Sequence, residues 1–146
     1  MNKYTLRLAL ILMAVFSLSA VSTNAQSNQG IRVNVPFDFI VGDQTLAAGS
    51  ITARGVSAAD SGPLSIRNYD KGQHVFRIAQ KAQGPDSSEN AKLVFHRYGD
   101  RYFLAEVWIP GYNAWTVVKS KSEKTLMREM RISKNLKQEV VTLFAD

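Results

Sequence analysis

Apolar and polar residues alternate through the first part of the chain beyond its N-terminal segment. Between Ile31 and Val41 every second residue is apolar, and polar residues or Pro36 fill most of the positions between. A period of two is typical of a β-strand with one buried face. Because proline has no N–H to donate to a neighbouring strand, Pro36 predicts an edge strand or a break at its position.

Further strands are predicted where short apolar runs lie between turn residues. They are Ile51–Arg54, Leu64–Tyr69, His74–Gln80, two arms of a hairpin within Lys92–Gly111, Trp115–Val118 and Val140–Phe144. Turns are predicted between Gly42-Asp43 and Ala48-Gly49 and at Asp70-Lys71-Gly72, where glycine suits the left-handed position of a three-residue hairpin loop. We expect a loop at 56–63 and the most flexible stretch at 84–88.

The segment from Lys92 to Gly111, KLVFHRYGDRYFLAEVWIPG, predicts the central hairpin of the sheet. A two-residue loop at Gly99-Asp100 places Tyr98 opposite Arg101. Without a change of register, the pairing then continues along both strands as far as Leu93 opposite Glu106. One face then carries Leu93, Phe95, Tyr102, Leu104 and Trp108, and the other carries Val94, His96, Phe103, Ala105, Val107 and Ile109. Since both faces are apolar, both must be covered.

A helix is predicted after these strands. Ser120 and Glu123 have the spacing of a capping box, in which each side chain satisfies a free backbone N–H. Leu126, Met127 and Met130 form the apolar stripe of this helix. The chain is therefore expected to be mainly β, an antiparallel barrel or sandwich of about seven to eight strands, with one C-terminal helix on its outer side before the last strand.

The N-terminus has the pattern of a secretory signal peptide. MNKYTLR is basic, and the apolar run from Leu8 to Leu18 is too short to span a bilayer as a mature helix. We expect a signal peptide at 1–25, with cleavage after Ala25 or alternatively after Ala20, and a single β-rich domain at 26–146. The absence of cysteine excludes a lipid anchor on a cysteine thiol. The expected product is exported, periplasmic or secreted, and does not span the membrane after cleavage.

The net charge of +6 is distributed unevenly. Two positive charges belong to the predicted signal peptide, and residues 32–118 contain nine basic and eight acidic residues. The tail, 119–146, contains seven basic and four acidic residues. A nearly balanced body argues against a basic cleft across the fold and against a nucleic-acid partner.

Two stretches resemble a group of small exported bacterial proteins of unknown function. Phe39 to Gly49 is similar to their motif F-x-V-G-x-x-x-L-P-A-G-x-Y, although Ala47 and Ile51 replace the usual proline and tyrosine. Lys92 to Leu104 is similar to their motif K-L-V-F-x-R-Y-G-x-x-Y-F-L, and a Lys119-Ser120 helix start also looks like theirs. The resemblance implies an exported β-rich domain and carries over no catalytic residue.

No motif indicates a metal site, a nucleophilic triad, a phosphate-binding loop or a cofactor. We therefore expect an envelope binding or interaction module that is not an enzyme, with an apolar small molecule or another protein as its partner. A closed barrel would place an apolar ligand among Phe37, Phe39, Phe76, Phe95 and Trp108. The alternative is a small hydrolase that uses His96 with Asp38 or Glu106, which requires these side chains to converge.

Overall fold

The computed structural model of the protein describes residues 30–56, 61–82, 90–111, 114–133 and 137–145. The predicted signal peptide at 1–25 and the predicted flexible stretch at 84–88 lie outside them. The strands are β1 (Gly30–Val35), β2 (Phe39–Val41), β3 (Gln44–Leu46), β4 (Gly49–Gly55), β5 (Ser61–Asn68), β6 (Gln73–Ala82), β7 (Lys92–Tyr98), β8 (Arg101–Trp108), β9 (Ala114–Val117) and β10 (Gln138–Phe144). One helix, α1 (Lys121–Ser133), precedes β10.

The strands form one mixed sheet that is not closed into a barrel. The order β1-β4-β5-β6-β9-β8 is antiparallel throughout, and β7 and β10 continue it from the other edge of β8. The hairpin of β2 and β3 joins β8 through a single parallel pair, Ile40 with Phe103. The expected mainly β class with a helix before the last strand is confirmed.

The sheet curls around one apolar core. Its inner face contributes buried side chains from every strand from β1 to β9, and Val141 and Leu143 of β10 pack against them. Several of these side chains are fully buried, including Leu46, Ile51 and Phe95. Burial of such a side chain contributes about 1.5–3 kcal/mol, so this inner face is the main source of stability.

The local expectations are largely confirmed. Pro36 follows the last residue of β1, which is the first strand of the sheet order, so both the break and the edge position are observed. Gly72 has a φ of 63° in the β5–β6 turn, as the turn chemistry predicts. The short strand β3 was not predicted, and 61–63 belong to β5 rather than to a loop.

The register of the central hairpin is confirmed at its tip and changes towards its base. Four pairs, from Tyr98 opposite Arg101 to Phe95 opposite Leu104, are as predicted, and Gly99 has a φ of 65°. A β-bulge then shifts the register, so that Val94 pairs with Glu106 and not with Ala105. The bulge reverses the faces beyond it: Val107 enters the core, and Trp108 turns to the outer face.

Helix α1 covers the outer face of this hairpin. The Ser120 hydroxyl accepts the backbone N–H of Glu123 at 3.1 Å, which confirms the Ser120 half of the predicted capping box. The Glu123 carboxylate contacts His96 and Tyr98 instead. The predicted stripe of Leu126, Met127 and Met130 packs against Tyr98, Phe103 and Ile40 in a second apolar cluster. The hairpin is thus covered on both sides, by the core and by the helix.

Substitution of two phenylalanines distinguishes the inner from the outer face. Phe95→Ala empties a fully buried position and should reduce the free energy of unfolding by about 3–5 kcal/mol. Phe76→Ala changes a side chain that is 60 % exposed and should cost less than about 1 kcal/mol. Urea denaturation of both variants measures the difference. Equal losses would contradict the assignment of the two faces.

Candidate functional site

Three of the five aromatic residues predicted to line a ligand pocket meet inside the sheet. The Phe95 ring lies edge to face with Phe37 at 5.3 Å and with Phe39 at 5.2 Å between ring centroids. Phe37 also stacks on Tyr102 at 3.8 Å. Phe39 and Phe95 are fully buried against each other, so they fill the interior at this place.

The other two predicted ligand residues, Phe76 and Trp108, lie on the outer face, which contradicts a single aromatic pocket. Phe76 is 60 % exposed and contacts the His74 ring. Trp108 donates its Nε1–H to Glu106 at 2.8 Å and lies under the Lys92 ammonium at 4.4 Å. The cause at Trp108 is the bulge, because one extra residue moves every later side chain to the opposite face.

A polar cavity of about 290 Å³ lies on the outer face of β1, β4, β5 and β6. Three arginines surround it together with hydroxyl, phenol and imidazole groups. We call this site the arginine pocket; its lining residues are Gly30, Ile31, Arg32, Thr52, Arg54, Ser65, Arg67, Tyr69 and His74. The balanced charge of the body argues against a basic cleft across the whole fold, but it does not indicate this local group of arginines.

Cross-strand register brings the pocket together from four strands. Arg32 of β1 pairs with Thr52 of β4, Thr52 pairs with Arg67 of β5, and Arg67 pairs with His74 of β6. These four residues therefore form one row across the outer face. In the next row Gly30 pairs with Arg54. A Cβ added at Gly30 would lie 3.0 Å from the Arg54 Cβ, so the glycine leaves room there.

Tyr69 holds two of the three guanidinium groups beside the cavity. Its ring centroid lies 4.5 Å from the Arg67 Cζ and 5.6 Å from the Arg32 Cζ. Such cation–π contacts contribute about 0.5–1 kcal/mol at exposed sites. Neither guanidinium forms an ion pair with a carboxylate of the described residues. Their N–H donors can therefore turn towards a ligand.

The floor of the pocket presents further polar atoms. Ser65 is 4 % exposed, and its hydroxyl lies 2.8 Å from His74 Nε2, which fixes the imidazole at the rim. The Thr52 Oγ1 is buried without a hydrogen-bond partner among the described residues. A buried hydroxyl ordinarily has such a partner, so Thr52 adds an unsatisfied group to the cavity.

A second polar cluster lies between the hairpin and the helix. Glu123 is 3 % exposed, and its Oε1 accepts a hydrogen bond from His96 Nδ1 at 3.1 Å. The Tyr98 hydroxyl donates to the same oxygen at 3.2 Å. A second acceptor, Gln138 Oε1, lies 3.3 Å from this hydroxyl. Burial raises the pKa of Tyr98 far above its usual range, and the charge of Glu123 and its hydrogen bond to Tyr98 raise this pKa further.

The carboxylates proposed as partners of His96 in a hydrolase make other contacts. Asp38 Oδ1 accepts the backbone N–H of Ala48 at 2.8 Å, and Glu106 accepts the indole N–H of Trp108. The carboxylate that contacts His96 is that of Glu123, which the sequence indicated as a capping residue. His96 and Glu123 thus join the helix to the sheet.

No protein-family model, curated protein or solved structure matches the chain. Among the described residues, no helix combines the length and apolar character needed to cross a bilayer. Within the same residues, no group of three or more His, Asp or Glu side chains is arranged to hold a metal ion.

The buried Tyr98 hydroxyl makes stability depend on alkaline pH. An unfolded tyrosine loses its proton near pH 10, whereas folded Tyr98 retains its proton well above that pH. Its contribution is therefore complete below about pH 10 and is lost as the pH rises further. Urea denaturation between about pH 8 and 11 should show a loss for the native sequence that is larger, by up to about 1.4 kcal/mol per pH unit, than the loss for Tyr98→Phe. Parallel curves would contradict the assigned role of Tyr98.

Proposed function

We propose that the protein is an exported binding module without catalytic activity, and that the arginine pocket binds a small molecule bearing an oxyanion. The proposal rests on one observation, the convergence of Arg32, Arg54 and Arg67 around a cavity of about 290 Å³. A volume near 300 Å³ is at the lower end for small-molecule sites and suits a ligand of modest size.

The chemistry of the lining favours an oxyanion. A guanidinium is planar and always charged, and it presents paired N–H donors that match the two oxygens of a carboxylate or phosphate. The Thr52 hydroxyl and the His74 imidazole lie in the same row and supply additional donors. Several donors from different strands then fix the orientation of the bound group.

An apolar ligand, expected from the aromatic content of the sequence, has less support. Phe39 and Phe95 fill the interior where such a ligand was expected. The described cavity lies instead on the outer face and has a polar lining. Export remains a prediction from the N-terminal segment, and the proposed module would act in the envelope or outside the cell.

Inorganic phosphate is the simplest probe of the pocket. Two charge-assisted hydrogen bonds contribute together about 3–6 kcal/mol, which corresponds to a Kd between about 6 mM and about 40 μM. Isothermal titration calorimetry at low ionic strength should therefore show saturable binding. The double variant Arg32→Ala/Arg67→Ala should weaken binding by at least about tenfold.

Arg128→Ala is the matched control, because this arginine lies on the exposed face of α1 and its removal lowers the net charge without touching the pocket. Binding should be unchanged in this variant. Absence of saturable binding for both phosphate and acetate, or equal weakening by Arg128→Ala, would refute the oxyanion site.

A further inference from the structure

A row of exposed apolar side chains crosses the same outer face beside the arginine pocket. Val56 donates its N–H to the Pro63 carbonyl at 3.0 Å, Pro63 pairs with Ile78, and the Val118 N–H donates to the Ile78 carbonyl at 3.4 Å. These four residues are therefore neighbours on four strand segments. Val56 is 53 %, Ile78 61 % and Val118 39 % exposed.

Phe76 connects this apolar row to the pocket. It lies between His74 and Ile78 on the outer face of β6, and it pairs with Ser65 on the pocket floor. Phe76 is 60 % exposed, and its ring centroid lies 4.3 Å from that of the His74 imidazole. Cationic and apolar groups thus form one continuous surface, which we call the amphipathic face: Arg32, Arg54, Arg67, Phe76, Ile78 and Val118.

We propose that the amphipathic face docks on the surface of a lipid bilayer that contains anionic phospholipids. The arginines bind headgroup phosphates, and Phe76 and Ile78 enter the boundary between the headgroups and the acyl chains. This inference rests on the proposed oxyanion site and names the lipid phosphate as its ligand. In this arrangement the face lies in the headgroup layer of one leaflet.

Charge complementarity favours a lipid surface over a second copy of the chain. A two-fold contact uses the same patch on both partners, so it would place both arginine clusters in one interface. A bilayer surface instead presents many phosphates beside an apolar layer, and it matches both parts of the face at once. The apolar side chains protrude from the sheet surface, as contact with a broad surface requires.

Vesicle co-sedimentation tests the proposal with the exported protein, whose N-terminus is verified by intact mass. Vesicles of phosphatidylcholine with about 30 % phosphatidylglycerol should bind the protein, and pure phosphatidylcholine vesicles should bind it at least tenfold more weakly. The variant Arg32→Ala/Arg67→Ala should reduce partitioning by about 30-fold, and Phe76→Ser/Ile78→Ser by about tenfold.

Ile132→Ser and Arg128→Ala are the matched controls, because Ile132 is 85 % exposed and both residues lie on α1, away from the amphipathic face. Both controls should partition as the native sequence does. Circular dichroism melts verify that each variant is folded, which is expected since all substituted residues are exposed.

Each other outcome overturns the proposal in an identifiable way. No vesicle binding, with phosphate binding intact in calorimetry, refutes membrane docking and leaves the oxyanion site; loss of both refutes both. Partitioning that depends on the arginines and not on Phe76 and Ile78 reduces the effect to charge attraction without insertion. A concentration-dependent dimer that Phe76→Ser/Ile78→Ser abolishes, without vesicle binding, assigns the face to self-association.

Discussion

The double-sided apolar character of the β7–β8 hairpin is the constraint on which the rest of the structure depends. Phe95 and Leu104 on one side require an apolar layer, and the curled sheet supplies it. Tyr98 and Phe103 on the other side require a second layer, and α1 supplies it through Met130. A hairpin with one solvent-exposed face would need no helix to cover it. It would also not need the buried contacts of Glu123 with His96 and Tyr98.

The position of the helix decides which part of the outer face stays accessible. Helix α1 covers the region around β7, β8 and β2, where its stripe packs. The outer face of β4, β5 and β6 keeps Arg67, Phe76 and Ile78 exposed. The unusual chemistry of the molecule lies on this uncovered half, where three arginines and several large apolar side chains are in contact with solvent. The candidate site therefore lies on the part of the outer face that α1 does not cover.

Local signals in the sequence predicted the strands, turns and helix well. Features that depend on long-range strand register were not predicted. Pro36, Gly72, Gly99 and Ser120 each act within a few residues, so a single sequence contains their effect. The bulge beside Val94 depends on how two strands fit across the core, and nothing in the alternation of β8 indicates it. The face of Trp108 was mispredicted for this reason. The arginine pocket was missed because its lining comes from four strands, and their pairing has no local signature.

The charge count does not indicate the arginine pocket, for a related physical reason. Basic and acidic residues balance in the body of the chain, but several carboxylates accept hydrogen bonds from backbone and indole N–H groups. Asp38 and Asp70 accept backbone N–H groups of Ala48 and Ser50. Glu106 accepts the indole N–H of Trp108. Arg32 and Arg67 meet on the outer face beside Tyr69, so a nearly neutral composition produces a locally cationic surface. Net charge constrains the field far from a protein, whereas a binding site depends on which charges the fold has already paired.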